Sequence, residues 1–336
     1  MIVRNGAATL AACLESVAPL CEEMIIVDTG SNDDSMSIAR SFGAKVVETS
    51  WADDFSAARN LYLRKASCPW VLSLDADEVL GKVHKDTFID GLERNPATAF
   101  MFRIRNYFFE SDLPELTLPS KLISEGSAGI SSTISMTIRL FPRLRGLTYS
   151  YPVHETLLPA IRRKGLRLKH CAIPIHHRGH LINKEHSQAK AKLYRILGQK
   201  KIIDFPHFFL GYLELGKICF HDADLEEAER MFTESIRLRP RCLDAYCFLA
   251  LTLFRQKRFS ESREVLQRAL RRFPNNSDAK YVLDFVNHAE ENTSKQLPSL
   301  KYSAIMPGIQ SLRNRPVAGI SRSRLSRTPF FAFRKS

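Results

Sequence analysis

The feature that most restricts the fold of this 336-residue chain is an internal repeat in its C-terminal half, with a period of 34 residues. Eight positions recur with similar side-chain sizes in two consecutive copies, 209–242 and 243–276. The first copy has Tyr212, Leu215, Gly216, Cys219, Ala228, Phe232, Ser235 and Pro240; the second has Tyr246, Leu249, Ala250, Leu253, Ser262, Leu266, Ala269 and Pro274. A fixed period of this length is typical of stacked units that bury their faces against one another. Helical spacing around the copies predicts a leading helix over 185–203 and a closing helix over 277–289.

The spacing and the residue sizes resemble the tetratricopeptide repeat, a helix pair in which small residues allow the helices to cross closely. Two unrelated helical hairpins are the alternative. The resemblance implies an all-α domain over 184–290 that could bind a protein partner or associate with itself.

The N-terminal part has a different pattern, in which short apolar runs alternate with segments of helical spacing. Strands separated by helices of roughly ten residues indicate a parallel sheet with helices on both faces. Ligands on such sheets bind where the strands end. The apolar runs 24–27 and 70–74 end at Asp28 and at Asp75-Ala76-Asp77, so we expect a site there. Residues 99–175 read as strand-rich, with a polar loop over 111–132.

Charge is distributed unevenly along the chain. Lys and Arg number 49 against 36 Asp and Glu, a net charge of +13, which commonly indicates an anionic partner. Residues 1–100 nevertheless carry −6, whereas 295–336 carry +9 without one acidic residue. We expect 291–336 to be a basic, disordered tail that could contact an anionic membrane surface. The remaining sequence has no motif for nucleic acid, so no specific nucleic-acid binding is expected.

Composition excludes several classes of protein. Hydrophobic residues make up 44% of the chain, which excludes global disorder. The seven cysteines form no C-x-x-C pair and lie among apolar neighbours, which favours free thiols over a zinc site. No apolar run approaches about 18 residues and the first residues lack a signal-peptide pattern. We therefore expect a cytoplasmic protein, which could also contact the inner membrane face peripherally.

Asp75 and Asp77, one residue apart at the end of a predicted strand, suggest a divalent-cation site. Mg²⁺ and Mn²⁺ prefer a few carboxylates together with phosphate oxygens. Taken alone, an Asp-x-Asp could equally be a solvated turn.

Four segments supply the context: 1–5 (MIVRN), 25–33 (IIVDTGSND), 51–60 (WADDFSAARN) and 74–78 (LDADE). In this order they resemble family 2 of the inverting glycosyltransferases, and the bacterial branch with tetratricopeptide repeats behind the catalytic domain is the most similar. The resemblance implies the α/β GT-A fold of nucleotide-diphospho-sugar transferases, with a Rossmann-like mixed sheet, over 1–183. It also implies a nucleotide-sugar donor, with a UDP-sugar as first candidate, and Mg²⁺ or Mn²⁺ as cofactor.

The resemblance also implies a nucleotide pocket, formed by Asn5, Asp28, Asp53, Asp54 and Arg59. Asp28 would accept a hydrogen bond from the base, and Arg59 would face the base or the diphosphate. A turn is the alternative for Asp28. A surface ion pair with Asp53 or Asp54 is the alternative for Arg59.

Catalytic and metal roles follow from the same resemblance. Asp77, with Asp75 nearby, would hold the metal that bridges the two phosphates. Glu155 would take the proton of the acceptor, and His154 would steady the leaving group or the metal. An ordinary polar pair is the alternative for these two neighbours.

The His-rich segment 176–180 adds two further candidates. His177 and His180 could supply a late contact with phosphate or metal, with a solvated turn as the alternative.

Two departures from the family pattern support a second hypothesis. Gly6 stands where relatives have Glu, and the chain begins inside the predicted first strand. The first hypothesis is an inverting, hexosyltransferase-type enzyme that acts on a protein, lipopolysaccharide or wall-polymer acceptor in the bacterial cell envelope. The second is a catalytically impaired transferase-like scaffold that acts through its repeats.

Overall fold

The computed structural model of the chain describes residues 1–109, 122–124, 130–182 and 187–291. Two compact units divide most of these residues: an α/β unit over 1–108 and 132–182, and a helical unit over 187–291. The predicted basic tail beyond residue 291 and most of the predicted loop 111–132 lie outside the described residues.

The α/β unit begins with a sheet of three parallel strands in chain order. The strands are β1 (Ile2–Val3), β2 (Ile25–Asp28) and β3 (Lys45–Glu48). The helices of this region are α1 (Ala7–Val17), α2 (Ser35–Ser41) and α3 (Phe55–Lys65). Leu10, Ile26 and Ala39 are buried together between the sheet and the first two helices. The alternation of apolar runs and helical spacing correctly predicted these elements.

A second sheet contains β4 (Trp70–Leu72), β5 (Glu78–Leu80), β6 (Thr98–Phe109), β7 (Leu122–Ser124), β8 (Ile130–Pro142) and β9 (Arg167–His177). Five of these strands have the order β4-β8-β6-β9-β5, and β7 pairs with β8. The further helices of the α/β unit are α4 (Lys85–Glu93), α5 (Leu158–Arg163) and α6 (Gly179–Ile182). Strand β9 runs parallel to β6 but antiparallel to β5, and β4 is antiparallel to β8. The parallel order inferred from the sequence therefore holds for β1–β3, whereas β4 joins a mixed sheet because the distant strand β8 pairs with it.

Strand ends bring the acidic residues into position. Asp28 is the last residue of β2, and Asp75 and Asp77 lie in the short connection between β4 and β5. The register of β5 against β9 places Glu78 opposite His177, so the acidic connection meets the end of the His-rich strand.

The helical unit contains six helices among the described residues: α7 (Ser187–Asp204), α8 (Phe209–His221), α9 (Leu225–Leu238), α10 (Leu243–Arg255), α11 (Phe259–Arg272) and α12 (Ser277–Glu291). The pair α8–α9 recurs as α10–α11 with starting residues shifted by 34, as the sequence period predicted. Phe232, Tyr246 and Leu266 are fully buried in their common core. The leading and closing helices occur where they were expected.

Close crossing of α8 and α9 depends on Gly216. A Cβ atom at this position would lie 2.7 Å from Phe232 Cε1 and 3.1 Å from Met231 Cβ. We expect Gly216→Ala to lower the free energy of unfolding of the helical unit by about 1–3 kcal/mol, because an overpacked core must shift. Urea unfolding followed by circular dichroism measures this change.

Gly211→Ala is the matched control for Gly216→Ala in the same helix. Its Cβ would lie 3.3 Å from Ile202 Cγ2, a contact that a small movement relieves. A loss of stability in the Gly211 variant as large as that in the Gly216 variant would contradict the packing explanation.

Two further features of the chain concern membrane-spanning helices and cysteine thiols. No helix within the described ranges is both long and apolar enough to cross a bilayer. All seven cysteines are free thiols.

Candidate active site

Two buried arginines hold the carboxylate of Asp75. Arg59 of α3 donates from Nη2 to Asp75 Oδ1 at 2.6 Å, and Arg139 of β8 donates from Nη2 to Asp75 Oδ2 at 2.6 Å. The two arginines are 5% and 6% exposed. Burial raises the pKa of Asp75, but Arg139 and Arg59 outweigh it and hold that pKa far below its usual range. Asp75 is therefore an anion with a guanidinium at each oxygen.

Arg59 also connects Asp75 with Glu155. Its Nε donates to Glu155 Oε1, its Nη1 donates to Ser73 Oγ at 3.3 Å, and its guanidinium lies over the ring of Tyr149 at 5.5 Å. Burial lowers the pKa of Arg59, but Asp75 and Glu155 raise it well above its usual value. All three nitrogens have protein acceptors and the side chain is buried, so the alternative of a surface ion pair with Asp53 or Asp54 was wrong. The nucleotide contact of Arg59 stays a prediction.

Sequence reasoning missed Arg139 and gave no role to Glu78. Arg139 Nη2 donates to Glu78 Oε1 as well as to Asp75, and Glu78 Oε2 accepts a hydrogen bond from the backbone N–H of Asp75 at 3.1 Å. Glu78 is 2% exposed, and burial raises its pKa above the usual range although Arg139 lowers it. The sequence signal that could have identified Arg139 is its place inside the otherwise apolar run 138–141, which the structure buries. A buried guanidinium needs an anionic partner.

Asp77 and His177 form the second charged contact. His177 Nε2 lies 3.0 Å from Asp77 Oδ2, and His177 Nδ1 lies 2.9 Å from Asn106 Oδ1. The amide nitrogen of Asn106 donates to the carbonyl oxygen of Thr133 at 3.4 Å, so its oxygen faces the ring and Nδ1 carries a hydrogen. Burial lowers the pKa of His177, but Asp77 outweighs it and raises that pKa above its ordinary value.

These two side chains fit a divalent cation better than Asp75 does. Within the ranges that the structure describes, no group of three or more Cys, His, Asp or Glu side chains could hold a metal ion. Mg²⁺ commonly takes only one or two protein ligands and completes its shell with phosphate oxygens and water. Asp77 Oδ2 and His177 Nε2 converge in this way, and a Cβ at Gly179 would lie 2.1 Å from Asp77 Oδ2, so glycine keeps that space open. A metal at Asp75 would compete with two arginines.

The turn after β2 joins two of the predicted nucleotide ligands. Asp28 accepts hydrogen bonds from the backbone N–H groups of Gly30 at 3.2 Å and Ser31 at 3.1 Å, and from Ser31 Oγ at 2.5 Å. The N–H of Asn5 donates to the same Ser31 Oγ at 2.9 Å, and Asn5 Oδ1 accepts from the N–H of Asn32 at 2.8 Å. The carboxylate of Asp28 thus shapes the turn, and its base contact stays a prediction.

Asp53 and Asp54 lie at the start of α3. Asp54 is the N-cap, and its carboxylate accepts from the N–H of Ala57 at 2.9 Å and from Ser56 Oγ at 2.7 Å. Asp53 is exposed and has a φ of 52°, in the left-handed region. The nucleotide roles of both residues stay predictions.

The segment 150–156 carries the proposed base. Ser150 and Thr156 exchange two backbone hydrogen bonds at 3.0 and 3.1 Å, which close the segment into a loop. Tyr151 and His154 have φ values of 80° and 48°, and non-glycine residues in this region are frequent at functional sites. The side chain of Glu155 is 13% exposed, and its Oε2 has no hydrogen bond to the described part of the chain. The roles of Glu155 and His154 stay predictions.

Two further positions complete the comparison with the sequence. A Cβ at Gly6 would lie 2.9 Å from Val3 Cγ2 and 3.3 Å from Ala76 Cβ, so this chain has little room for a side chain there. The side chain of His180 lies outside the described residues.

Comparisons with known proteins cover both units. The family described as Glycosyl transferase family 2 matches residues 1–148, and the family described as Tetratricopeptide repeat matches residues 212–277. A TPR repeat-containing protein of Synechococcus elongatus is 30% identical over 243 residues, which cover 70% of this chain and 55% of that protein. An uncharacterized glycosyltransferase of Rickettsia felis is 37% identical over 89 residues, 26% of this chain and 30% of the relative.

A prophage-derived glycosyltransferase of Bacillus subtilis, SunS, is 32% identical over 87 residues, 25% of this chain and 21% of the relative. Among solved structures, the first TPR domain of Spaghetti bound to an HSP90 peptide matches 32% of this chain and 86% of that domain, with 20% identity and a TM-score of 0.30. The chain spans about half the length of the Synechococcus relative and less than a third of the two glycosyltransferases. The N-terminal part of this chain is a family 2 glycosyltransferase domain, and tetratricopeptide repeats follow it.

Proposed function

We propose that this chain transfers a sugar from a nucleotide-diphosphate donor, with a UDP-sugar as first candidate, and that it does so with inversion and with Mg²⁺ or Mn²⁺. The observation that carries the proposal is the contact of Asp77 with His177, two residues along the chain from Asp75, which Arg59 links to Glu155. His177 is the last residue of β9 and Asp77 lies in the connection after β4, and open α/β sheets bind ligands where strands end.

Each side chain has a separate task in the proposed site. Asp77 and His177 hold the cation, which when bound neutralises charge on the departing diphosphate. The turn formed by Asn5 and Asp28 binds the nucleoside, and the start of α3 borders the same pocket. The −6 charge of residues 1–100 suits a phosphate site that works through a cation.

Glu155 is the proposed base. In an inverting transfer, the acceptor oxygen bonds to the anomeric carbon as the bond to the diphosphate breaks, and the acceptor proton must leave. Arg59 binds Glu155 at Oε1, which orients the carboxylate. Oε2 is then the atom that accepts the proton.

The acceptor is proposed only as a class: a protein, a lipopolysaccharide sugar or a wall polymer. The repeats support a protein partner or self-association, because stacked helix pairs offer an extended binding surface. We further propose a cytoplasmic location with peripheral contact at the inner membrane face, supported by the +9 charge of residues 295–336.

Removal of residues 295–336 is expected to weaken binding to anionic vesicles, because each Lys or Arg near such a surface contributes about 1 kcal/mol. Co-sedimentation with vesicles of acidic and of neutral lipids measures the difference. Equal binding of the full and shortened chains to acidic vesicles would refute the membrane contact.

Calorimetry tests the proposed function directly. UDP titrated into the protein should release heat in the presence of Mn²⁺ and little heat after chelation of the metal. A panel of nucleotide sugars, screened by thermal shift and then by donor hydrolysis, identifies the donor. The scaffold alternative, motivated by Gly6 in place of Glu, predicts no metal-dependent heat with any nucleotide.

The His177–Asp77 contact predicts a pH dependence of stability. The folded pKa of His177 lies above its unfolded value of about 6.5, so the contact with Asp77 contributes its full stabilisation to the metal-free protein below that pH. This contribution is lost as the pH rises through the folded pKa. Urea unfolding between pH 5 and pH 9 without metal should show it, and His177→Gln should remove it. Mn²⁺ affinity should change oppositely and rise with pH, because a ligating imidazole must be neutral.

A further inference from the structure

We propose that Arg139 is a positioning residue, which fixes the 75–78 turn so that Asp77 faces His177. The inference rests on the proposed function for its catalytic consequence, and on geometry for its structural part. Arg139 contacts the carboxylates of Asp75 and Glu78, the first and last residues of the turn, while Asp77 lies between them.

Contacts on every side restrain the Asp75 end of this turn. Its two carboxylate oxygens are bound by arginines from α3 and β8, which are separate elements of the unit. The backbone N–H of Asp75 donates to Glu78 Oε2 at 3.1 Å, and its carbonyl oxygen accepts from the N–H of Glu78 at 3.0 Å. The thiol of Cys13 donates to the same carbonyl oxygen at 3.4 Å. Arg139 is the group that ties both ends of this closed turn to the sheet.

The arrangement is poorly suited to a purely structural role. Arg139 Nε is buried without a hydrogen-bond partner in the described part of the chain, and an unsatisfied buried donor lowers stability. Apolar side chains of similar volume often stabilise a protein at least as well as a buried ion pair does. What they cannot do is hold two carboxylates in fixed orientations. The geometry therefore favours positioning of the turn over stabilisation of the core.

The test separates these two roles with a paired substitution. Arg139→Met alone leaves Asp75 and Glu78 with less compensation and should lower the melting temperature. The double variant Glu78→Met/Arg139→Met removes one charge of each sign and should recover most of that loss. Arg145→Met, at an exposed position beyond β8, is the matched control and should leave every readout unchanged.

Two measurements on the double variant report positioning. Hydrogen exchange of peptides covering residues 74–80 should be about tenfold faster than in the wild type, with other peptides unchanged. The KM for the donor, or the Kd for UDP with Mn²⁺, should rise about 10–100-fold, as for lost support of a metal ligand, while kcat changes less. Arg139→Lys keeps the positive charge but has a single nitrogen on a shorter side chain. It should show the same changes to a smaller extent. This variant replaces the double variant if the double variant does not fold.

The outcomes distinguish the inference from the proposed function. Wild-type exchange at 74–80 in a stable double variant overturns the inference, whatever happens to UDP binding. A double variant that recovers both the wild-type KM for the donor and the wild-type melting temperature also overturns the inference, because Arg139 would then have a structural role only. Faster exchange in a protein whose wild type never binds UDP with Mn²⁺ supports the positioning of the turn and overturns the proposed function.

Discussion

Asp77→Asn is expected to lower metal-dependent kcat/KM by at least about 10³-fold, because stabilisation of a leaving diphosphate by a bound cation amounts to several kcal/mol. Asparagine keeps the shape of the side chain but not its charge, so the acidic turn should remain folded. Initial rates over a range of Mn²⁺ concentrations separate a weakened metal site, which high Mn²⁺ rescues in part, from loss of the reacting geometry.

Asp86→Asn is the matched control for Asp77→Asn. Asp86 is exposed in the first turn of α4 and follows β5 closely in the chain. The same substitution there removes one carboxylate charge from a residue outside the proposed site. Its turnover should equal that of the wild type. Full turnover in the Asp77 variant would mean that the cation site has been assigned to the wrong residue.

Arg59→Met is expected to lower the free energy of unfolding by about 3–5 kcal/mol, the usual cost of leaving buried charges without their partner. Asp75 would keep only Arg139, and Glu155 would lose its ion pair. Methionine preserves much of the apolar stem, so the loss reports charge rather than volume. Denaturant unfolding measures it, and activity should fall as well because Glu155 is no longer oriented.

Arg64→Met provides the comparison on the same helix. Arg64 is exposed on α3, and substitutions at such positions usually change stability by no more than about 0.5 kcal/mol. A similar small effect at Arg59 would show that the remaining charged groups, Asp75, Glu78, Arg139 and Glu155, compensate one another without it.

Local sequence signals were sufficient for many elements. Helix α3 has a clear local signal, because the N-cap Asp54 precedes a run of helical spacing. The period of 34 residues, with a small residue such as Gly216 at the same place in each copy, predicted the helix pairs because it is typical of tetratricopeptide repeats. Asp28 and Asp77 were predicted at strand ends because each follows an apolar run.

Partners across the sheet were not predictable in this way. Arg139 is 64 residues from Asp75 and Asn106 is 71 residues from His177, so both contacts depend on strand pairing. Pairing is set by the packing of whole strands and leaves no local signal at either residue. The partners of Arg59 were not predictable either, because this helical residue meets Asp75 and Glu155 on two connections that only the tertiary fold brings together.

The pairing of β5 with β9 also determines how this site could be lost or kept during evolution. His176 precedes His177 and points the other way, where its Nδ1 lies 2.8 Å from the hydroxyl of Tyr107. One residue inserted into β9 ahead of this pair would place His176 opposite both Glu78 and Asn106, in the register that His177 holds now. One residue deleted there would bring Arg178 to that position instead, so the acidic turn would meet a guanidinium and not an imidazole. Length variation among relatives should therefore fall in the connections around β9 and not within the strand.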